Sequence, residues 1–416
     1  MVGAGAVAGR GALNDSTARA PGGRLLRPGR LVGVDVARGI ALIAMMSVHI
    51  VASLDAGGDV SWAYRLFAGR ASGLFAVLAG VSLVLSTTGR GHDQPLALGA
   101  RRGVLARAGW VALIGMVVGV LPSGVAVILV NYAVLFAVGA LFLGLPTRAL
   151  LVLGAGWLTL APVVGHLVRS ALPPGPGPSP SLFSLAHPAE LFNGVLFNGY
   201  YPVLQWTGYV LVGMALGRLP LHRPRLAVRL MVAGVLLAVG AKLISAVLLG
   251  PAGGLERLTV PPASPIAGRD LQSALVTGLY GTTPTTSWWW LAVSAPHSGT
   301  PLDLLHTTGT SLAVIGACVL AAAMLGRYRF LLLPVAAAGS MPLTLYTLHV
   351  VGLAVAAGLG LPSAESSATL LWVNVGLAVA LATAWQLTGR RGPLEDVATQ
   401  LSAAARRSAA PEQPGA

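Results

Sequence analysis

Ten long stretches of apolar residues alternate along the chain with short polar or glycine-rich segments. Each stretch is close to the roughly twenty residues that a helix needs to cross the hydrocarbon core of a bilayer. Open strands would leave backbone groups unpaired in lipid, so we expect every stretch to be helical. The sequence therefore predicts an all-α polytopic membrane bundle of about ten transmembrane helices, over residues 32–53, 67–88, 104–121, 125–145, 149–170, 200–219, 230–250, 309–326, 336–359 and 368–388.

The composition agrees with this pattern, since 55% of the residues are hydrophobic, 10% are charged and the mean hydropathy is +0.76. The net charge of +14 comes from arginines that flank the apolar stretches. That placement is typical of cytoplasmic loops rather than of a nucleic-acid-binding stripe. The single cysteine, Cys318, excludes an intramolecular disulfide and a cysteine-based metal site. Histidine pairs with metal-ligand spacing are also missing, so we expect neither a metal nor a nucleic-acid partner.

The arginines also predict which side of the membrane each segment faces. Their asymmetry places both termini in the cytoplasm of a multi-pass protein of the plasma membrane. Segments 171–199 and 251–308 are then extracytoplasmic, and the second is long enough to form a cap. Residues 31–395 form a single membrane domain in this interpretation. Residues 1–30 and 396–416 are expected to be disordered cytoplasmic tails.

The first apolar stretch carries three ionisable residues on nearly one helix face. Asp35 and Arg38 begin it, and His49 follows fourteen residues after Asp35, a rise of about 21 Å on an α-helix. Ionisable groups are costly in hydrocarbon, so such a face indicates a functional site. The structural alternative is a capping aspartate, an arginine among lipid headgroups and an interfacial histidine. Spacing alone does not separate the two.

The stretch RLVGVDVARGIALIAMMSVHI, residues 30–50, resembles the first helix of heparan-alpha-glucosaminide N-acetyltransferase-like membrane proteins. Its Asp-x-x-Arg-Gly opening and its histidine are also similar to the first helix of acyltransferase family three. In the animal N-acetyltransferase an asparagine matches His49, and a histidine in the following loop carries the chemistry. Residues 51–66 contain no histidine here, so the detailed animal mechanism is not expected to carry over.

The resemblance implies transfer of a small acyl group from cytoplasmic acyl-CoA, most often acetyl-CoA, to an extracytoplasmic hydroxyl or amine, often on a glycan. Under this hypothesis Asp35 and Arg38 bind the donor, with Arg38 facing its phosphates and Asp35 orienting Arg38. The rise to His49 is comparable to an extended pantetheine arm. His49 would then take the proton of the attacking acceptor.

Two more catalytic candidates lie in stretches that also resemble the family. Arg70 could stabilise a developing oxyanion, although an arginine that snorkels to the membrane surface is the alternative. His297 lies in the loop sequence Pro-His-Ser-Gly-Thr, where a solvated turn residue is the alternative. The predicted substrate-binding residues are polar or aromatic side chains on the outer side, namely Asn198, Tyr200, Tyr201, Trp289 and His349. His349 is expected to face His49 across the bundle, and an aromatic belt at the membrane interface is the alternative for Trp289.

Two other classes of protein share part of this pattern. A small-metabolite transporter or exporter would also have apolar spans and isolated charges within them, but the chain shows no matching repeat halves. A non-catalytic scaffold gives no reason for His49 to share a face with Asp35 and Arg38. The acyltransferase is therefore the leading hypothesis, with the transporter as the alternative.

Overall fold

The computed structural model describes residues 30–87, 98–175, 177, 179–259, 270–281, 283–360 and 368–408. This part of the chain is helical and contains no β-strand. Its α-helices are α1 (Val32–Ile50), α2 (Trp62–Phe67), α3 (Arg70–Thr87), α4 (Leu98–Val118), α5 (Leu129–Phe142), α6 (Thr147–Arg169), α7 (Pro188–Asn193), α8 (Val203–Gly217), α9 (Pro224–Leu249), α10 (Gly254–Thr259), α11 (Leu271–Thr277), α12 (Pro301–Met324), α13 (Leu333–Ser340), α14 (Pro342–Gly358), α15 (Ala368–Leu387) and α16 (Pro393–Arg407).

The predicted all-α membrane bundle is confirmed, whereas the count of about ten crossings is not. Within the described residues, six helical segments are long and apolar enough to span a bilayer. A bent pair, Gly326–Ser340 and Pro342–Gly358, raises the number to seven at most. Helices α5 and α8 coincide with predicted spans but have only 14 and 15 residues. Helix α4 also coincides with one, but it carries three arginines, Arg101, Arg102 and Arg107.

Glycines bring α1 and α13 into backbone contact beside the Asp35–Arg38 pair. A Cβ atom at Gly339 would overlap the carbonyl oxygen of Asp35, and one at Gly39 would overlap that of Val335. This close approach lets Arg38 Nη1 donate to the Gly339 carbonyl at 2.9 Å. The Arg-Gly pair of the first helix therefore positions a polar side chain and also makes room for α13.

The substitution Gly339→Ala should destabilise the protein, because a methyl group at this crossing must push two helix backbones apart. Overpacking of this kind costs about 1–3 kcal/mol. Gly352→Ala is the matched control, since a Cβ at Gly352 on α14 meets open space. Thermal unfolding of the detergent-solubilised variants measures the effect. Equal melting temperatures for the two variants would contradict the tight crossing.

The C-terminal segment differs from the disordered tail that the sequence analysis predicts from residue 396. Residues 393–407 form α16, which packs along α4. Glu395 Oε1 accepts hydrogen bonds from the backbone N–H groups of Leu343 and Thr344, and its Oε2 accepts one from the Thr344 hydroxyl. This carboxylate satisfies free N–H groups in the first turn of α14. Residues 1–29 and 409–416 lie outside the described residues.

The predicted cap, residues 251–308, contains α10, α11, a short turn of helix at Trp288–Ala292 and the start of α12. A small apolar cluster of its own includes Leu258, Leu271 and Trp290. Helix α12 begins at Pro301, so Asp303 and His306, which fall within the predicted cap, are helical. Residues 260–269 and 282 of the cap lie outside the described residues.

Candidate active site

Asp35 anchors two arginines at one end of α1, which we call the Asp35 end of the bundle. Its carboxylate accepts hydrogen bonds from Arg30 Nε and Nη2, both at 2.6 Å, and from Arg38 Nη1 at 2.8 Å. Arg38 Nη2 also donates to Ser82 Oγ at 2.9 Å. Asp35 is only 7% exposed, and a buried carboxylate is stable there because it is paired. These contacts fix the guanidinium of Arg38 in one orientation.

A cavity of about 740 Å³ begins at this ion-pair cluster and lies between α1, α3, α4, α5, α14 and α16. Its lining has a formal excess of four positive charges, since six arginines face two carboxylates. The arginines are Arg30, Arg38, Arg107, Arg390, Arg391 and Arg406, and the carboxylates are Asp35 and Glu395. A concave, partly apolar chamber with convergent cations has the form of a site for an anionic ligand.

Arg107 is a cation of this cavity whose guanidinium is only partly satisfied within the protein. Its guanidinium carbon lies 5.7 Å from the centre of the Phe136 ring, and its buried Nε has no hydrogen-bond partner among the described residues. An unpartnered buried donor is costly to the folded protein. A bound anion would supply the missing acceptor.

The cavity ends one helical turn short of His49. Met45 on α1 and Tyr346 on α14 line its far end, four and three residues before His49 and His349 respectively. His49 Nδ1 lies 3.1 Å from His349 Nε2, and the two ring planes are nearly parallel, with centroids 5.3 Å apart. His349 thus meets His49 across the bundle, as its position in the sequence predicts. His349 Nδ1 in turn lies 3.0 Å from Asn374 Oδ1 on α15.

Arg70 lies in a second polar cluster, between α3, α9 and α12. Its Nε donates to His306 Nε2 at 3.1 Å and its Nη1 donates to the Arg65 carbonyl at 3.0 Å. His306 Nδ1 lies 3.0 Å from the carbonyl oxygen of Ala238. Asp303 Oδ2 accepts the backbone N–H of Gly299 at 3.0 Å. Neither this cluster nor any other among the described residues brings together three His, Cys, Asp or Glu side chains that could hold a metal ion.

His297 is half-buried in an aromatic enclosure and has an unusual backbone conformation. Its φ of 52° lies in the left-handed region, which costs a residue other than glycine about 1–3 kcal/mol. The rings of Tyr200 and Tyr201 each lie 5.7 Å from its ring, and that of Trp206 lies 6.5 Å away. Burial, together with the positive charge of Arg70, lowers the pKa of His297 to about 4. The imidazole is therefore neutral at pH 7, and its Nδ1 has no hydrogen-bond partner among the described residues.

Several predicted substrate-binding residues already use their polar groups within the protein. The amide of Asn198 donates to the Pro173 carbonyl and to Asn193 Oδ1, and its oxygen accepts from Arg169 Nε. The hydroxyl of Tyr201 donates to the Ala126 carbonyl at 3.3 Å. The structure gives these two side chains a role in holding the segment before α8 against its neighbours. Their predicted contact with substrate stays a prediction.

The three consecutive tryptophans do not form one wall. Trp288 is 56% exposed and packs on His166, whereas Trp290 is fully buried in the core of the cap. Trp289 lies between them, with the Arg257 guanidinium 5.5 Å from its ring centre. A stacking surface for a sugar would therefore use one of these rings rather than all three.

The sequence analysis does not single out Arg107, Asn374 or Glu395. Arg107 and Asn374 are each an isolated polar residue in an apolar stretch, which is a signal for a buried functional group in a membrane helix. Glu395 directly follows the Gly-Pro-Leu sequence that opens α16. What the sequence does not give is the partner of each, because those partners are far away along the chain.

Comparison with protein families places this geometry in context. The model of the heparan-alpha-glucosaminide N-acetyltransferase catalytic domain matches residues 30–243, which is about half of the 416 residues. The chain belongs to this family. The N-acetyltransferase match includes all of α1, with Asp35, Arg38 and His49, and also Arg70 and Arg107. It ends before the cap, α14, α15 and α16. A comparison with curated proteins finds no match.

Family membership makes the protein a membrane acetyltransferase-like protein. The matched region contains α1, α3, α4 and α5, which supply most of the cavity wall. The part of the N-acetyltransferase-like chain beyond the match supplies Tyr346, His349, Asn374 and the arginines on and before α16. The candidate site therefore needs both parts of the chain.

Proposed function

We propose that this protein is an integral membrane acyltransferase that moves a small acyl group from acyl-CoA to a hydroxyl or amine acceptor. The donor is cytoplasmic, with acetyl-CoA the first choice, and the acceptor is a glycan on the outer side of the plasma membrane. The observation that carries this proposal is the positively lined cavity, which starts at Asp35 and Arg38 and ends one turn from His49.

The charge of the cavity suits coenzyme A. Its pyrophosphate and 3′-phosphate carry several negative charges, and arginine guanidinium groups bind phosphate with paired, charge-assisted hydrogen bonds. Arg107 and Arg406 each have an unused Nε donor, and Arg38 is held in place by Asp35. Arg390, Arg391 and Arg406 line the same space from the C-terminal segment. We assign this end to the nucleotide portion of the donor.

The depth of the cavity suits the pantetheine arm. Along α1 the lining runs from Val34 to Met45, a rise of about 16 Å. A thioester at the far end would lie beside Met45 and Tyr346, and displacement of these two side chains would bring it to His49. The nucleotide would meanwhile stay at the Asp35 end, which the proposed orientation places in the cytoplasm.

The transfer step then uses His49 as the base. His49 takes a proton from the acceptor while the acceptor oxygen or nitrogen forms a bond to the thioester carbonyl carbon. The carbon–sulfur bond breaks, and the proton passes from His49 to the leaving thiolate. Arg70 is proposed to stabilise the oxyanion. The acceptor is proposed to lie near Tyr200 and His297, whose aromatic faces suit a sugar ring.

Binding of coenzyme A tests the donor site directly. Arg107→Gln should weaken binding about tenfold or more, since a hydrogen bond to a charged group contributes about 1.5–3 kcal/mol. Arg101→Gln is the matched control, because Arg101 is an exposed arginine of the same helix outside the cavity. Calorimetry with coenzyme A, and with its form lacking the 3′-phosphate, measures both variants. Equal affinities for wild type, Arg107→Gln and Arg101→Gln would contradict the assignment.

A small-metabolite exporter is the second candidate. The observation that favours it is the 69° break between Gly326–Ser340 and Pro342–Gly358, because transporters often bind solutes at broken helices. Such a protein would bind coenzyme A no better than other anions. The exporter would also move its solute unmodified, whereas the acyltransferase keeps the coenzyme on one side.

A further inference from the structure

Three side chains from three helices form a hydrogen-bonded line about one helical turn beyond the far end of the cavity. Asn374 of α15 contacts His349 of α14, and His349 contacts His49 of α1, at 3.0 and 3.1 Å. His349 is only 4% exposed. His49 belongs to the N-acetyltransferase match, whereas His349 and Asn374 lie beyond it.

The orientation of the Asn374 amide, with Oδ1 toward His349, sets where the protons lie. Asn374 Oδ1 can only accept a hydrogen bond, so His349 Nδ1 must carry a proton and donate it. A neutral His349 then has a lone pair on Nε2, which must accept from His49 Nδ1. In neutral His49 the proton is thus on Nδ1, and Nε2 keeps its lone pair.

We propose that His349 and Asn374 are positioning residues that hold His49 in the Nδ1–H tautomer, with Nε2 as the base that takes the acceptor's proton. This inference rests on the proposed function, because it names how the base of that reaction is prepared. It also gives His349 a role different from the substrate contact that the sequence predicts.

The line serves the reaction in two ways. It aims the ring of His49, because a hydrogen bond on one ring nitrogen fixes the direction of the other. It also stabilises the imidazolium that forms when Nε2 takes the proton, since His349 Nε2 accepts the Nδ1–H bond of that cation. When Nε2 returns its proton to the thiolate of coenzyme A, the line is again in its starting state.

Two substitutions of Asn374 separate a positioning role from a structural one. Asn374→Leu removes the acceptor with little change in size, whereas Asn374→Asp keeps an acceptor oxygen in the same place. We expect Asn374→Leu to lower kcat about 10²-fold, at the lower end of the range for loss of a general base, with the KM for acetyl-CoA unchanged. Asn374→Asp should keep most of the turnover. Thr383→Val, a change on the same helix away from the site, should behave as wild type.

His349 provides the second arm of the test. His349→Leu should lower kcat as much as Asn374→Leu does, and the double variant should fall no further, because both changes break one line. His349→Gln should restore part of the turnover, since its amide oxygen can accept from His49 Nδ1. Additive losses in the double variant, or a raised KM with unchanged kcat, would overturn the proposal.

The tautomer can be measured without any substrate. Protein labelled with ¹⁵N-histidine should show a protonated Nδ1 and an unprotonated Nε2 for His49, identified by the signals that vanish in His49→Gln. Asn374→Leu should shift His49 toward the other tautomer. A wild-type His49 protonated on Nε2 would overturn the proposal. If wild-type protein transferred no acyl group, only the proposed function would be contradicted. The spectra would still show whether His349 and Asn374 hold His49 in the Nδ1–H tautomer.

Discussion

Replacement of His49 by alanine should lower the rate of acyl transfer about 10²–10⁴-fold, the usual effect of removing a general base. The affinity for acyl-CoA should stay unchanged, because the cavity that binds the donor ends one turn before His49. His49→Gln should lose as much activity, since an amide keeps the bulk of the side chain but cannot take the proton.

The measurement is turnover of acetyl-CoA with the acceptor in excess, together with donor binding by calorimetry on the same preparations. His222→Ala serves as the control, because His222 is an exposed histidine in the turn between α8 and α9. A His49→Ala variant that binds acetyl-CoA and transfers at the wild-type rate would remove His49 from the mechanism.

The second large effect is expected at Asp35. Asp35→Leu leaves the buried Arg38, 14% exposed in its side chain, without its carboxylate, and breaking a buried ion pair from one side costs about 3–5 kcal/mol. Arg30 is about one third exposed and can turn to water. We therefore expect a lower melting temperature together with weak binding of coenzyme A.

The double variant Asp35→Leu/Arg38→Met separates stability from binding. Replacing a whole buried pair by apolar residues is often close to neutral for stability, so the double variant should regain most of the melting temperature. It should still bind coenzyme A weakly, because Arg38 is gone. Recovery of both properties would show that the pair has no part in donor binding.

The first helix could be predicted from the sequence because its information is local. Asp35, Arg38 and His49 are close in sequence, and helical geometry alone puts them on one face. The apolar helices could also be predicted, because an apolar run is a local feature of the sequence. The number of membrane crossings could not, because α5 and α8 have apolar sequences but end after 14 and 15 residues.

The partners of the site could not be predicted, because they are set by packing between distant segments. Nothing local connects Asn374 with His349, or Glu395 with the start of α14. The pattern of α16 was readable in part: it has a proline at its first position, acids in its first turn and arginines in its last. The polar composition of this segment nevertheless favours a disordered tail. The sequence does not show that α16 packs along α4, which is the contact that orders it.

For the loop residues His297 and Trp289, the sequence predicts part of the arrangement, and packing between distant segments decides the rest. The Pro-His-Ser-Gly-Thr sequence predicts a turn, and His297 does lie in one. Its contacts with Tyr200, Tyr201 and Trp206 come from one distant segment, residues 200–206, which the loop sequence does not reveal. The sequence analysis names Trp289 as a contact for substrate, whereas the short helical turn at Trp288–Ala292 points the three tryptophan rings into different surroundings.

Transfer of label across the membrane tests the central claim most directly. Inside-out vesicles with candidate glycans sealed in the lumen receive acetyl-CoA labelled in the acetyl group, added outside. We predict that label appears on a luminal acceptor with wild-type protein and not with His49→Ala, while the coenzyme stays outside. Label that never reaches an acceptor, with an unmodified solute crossing only when the protein is present, would contradict the acyltransferase and establish the exporter.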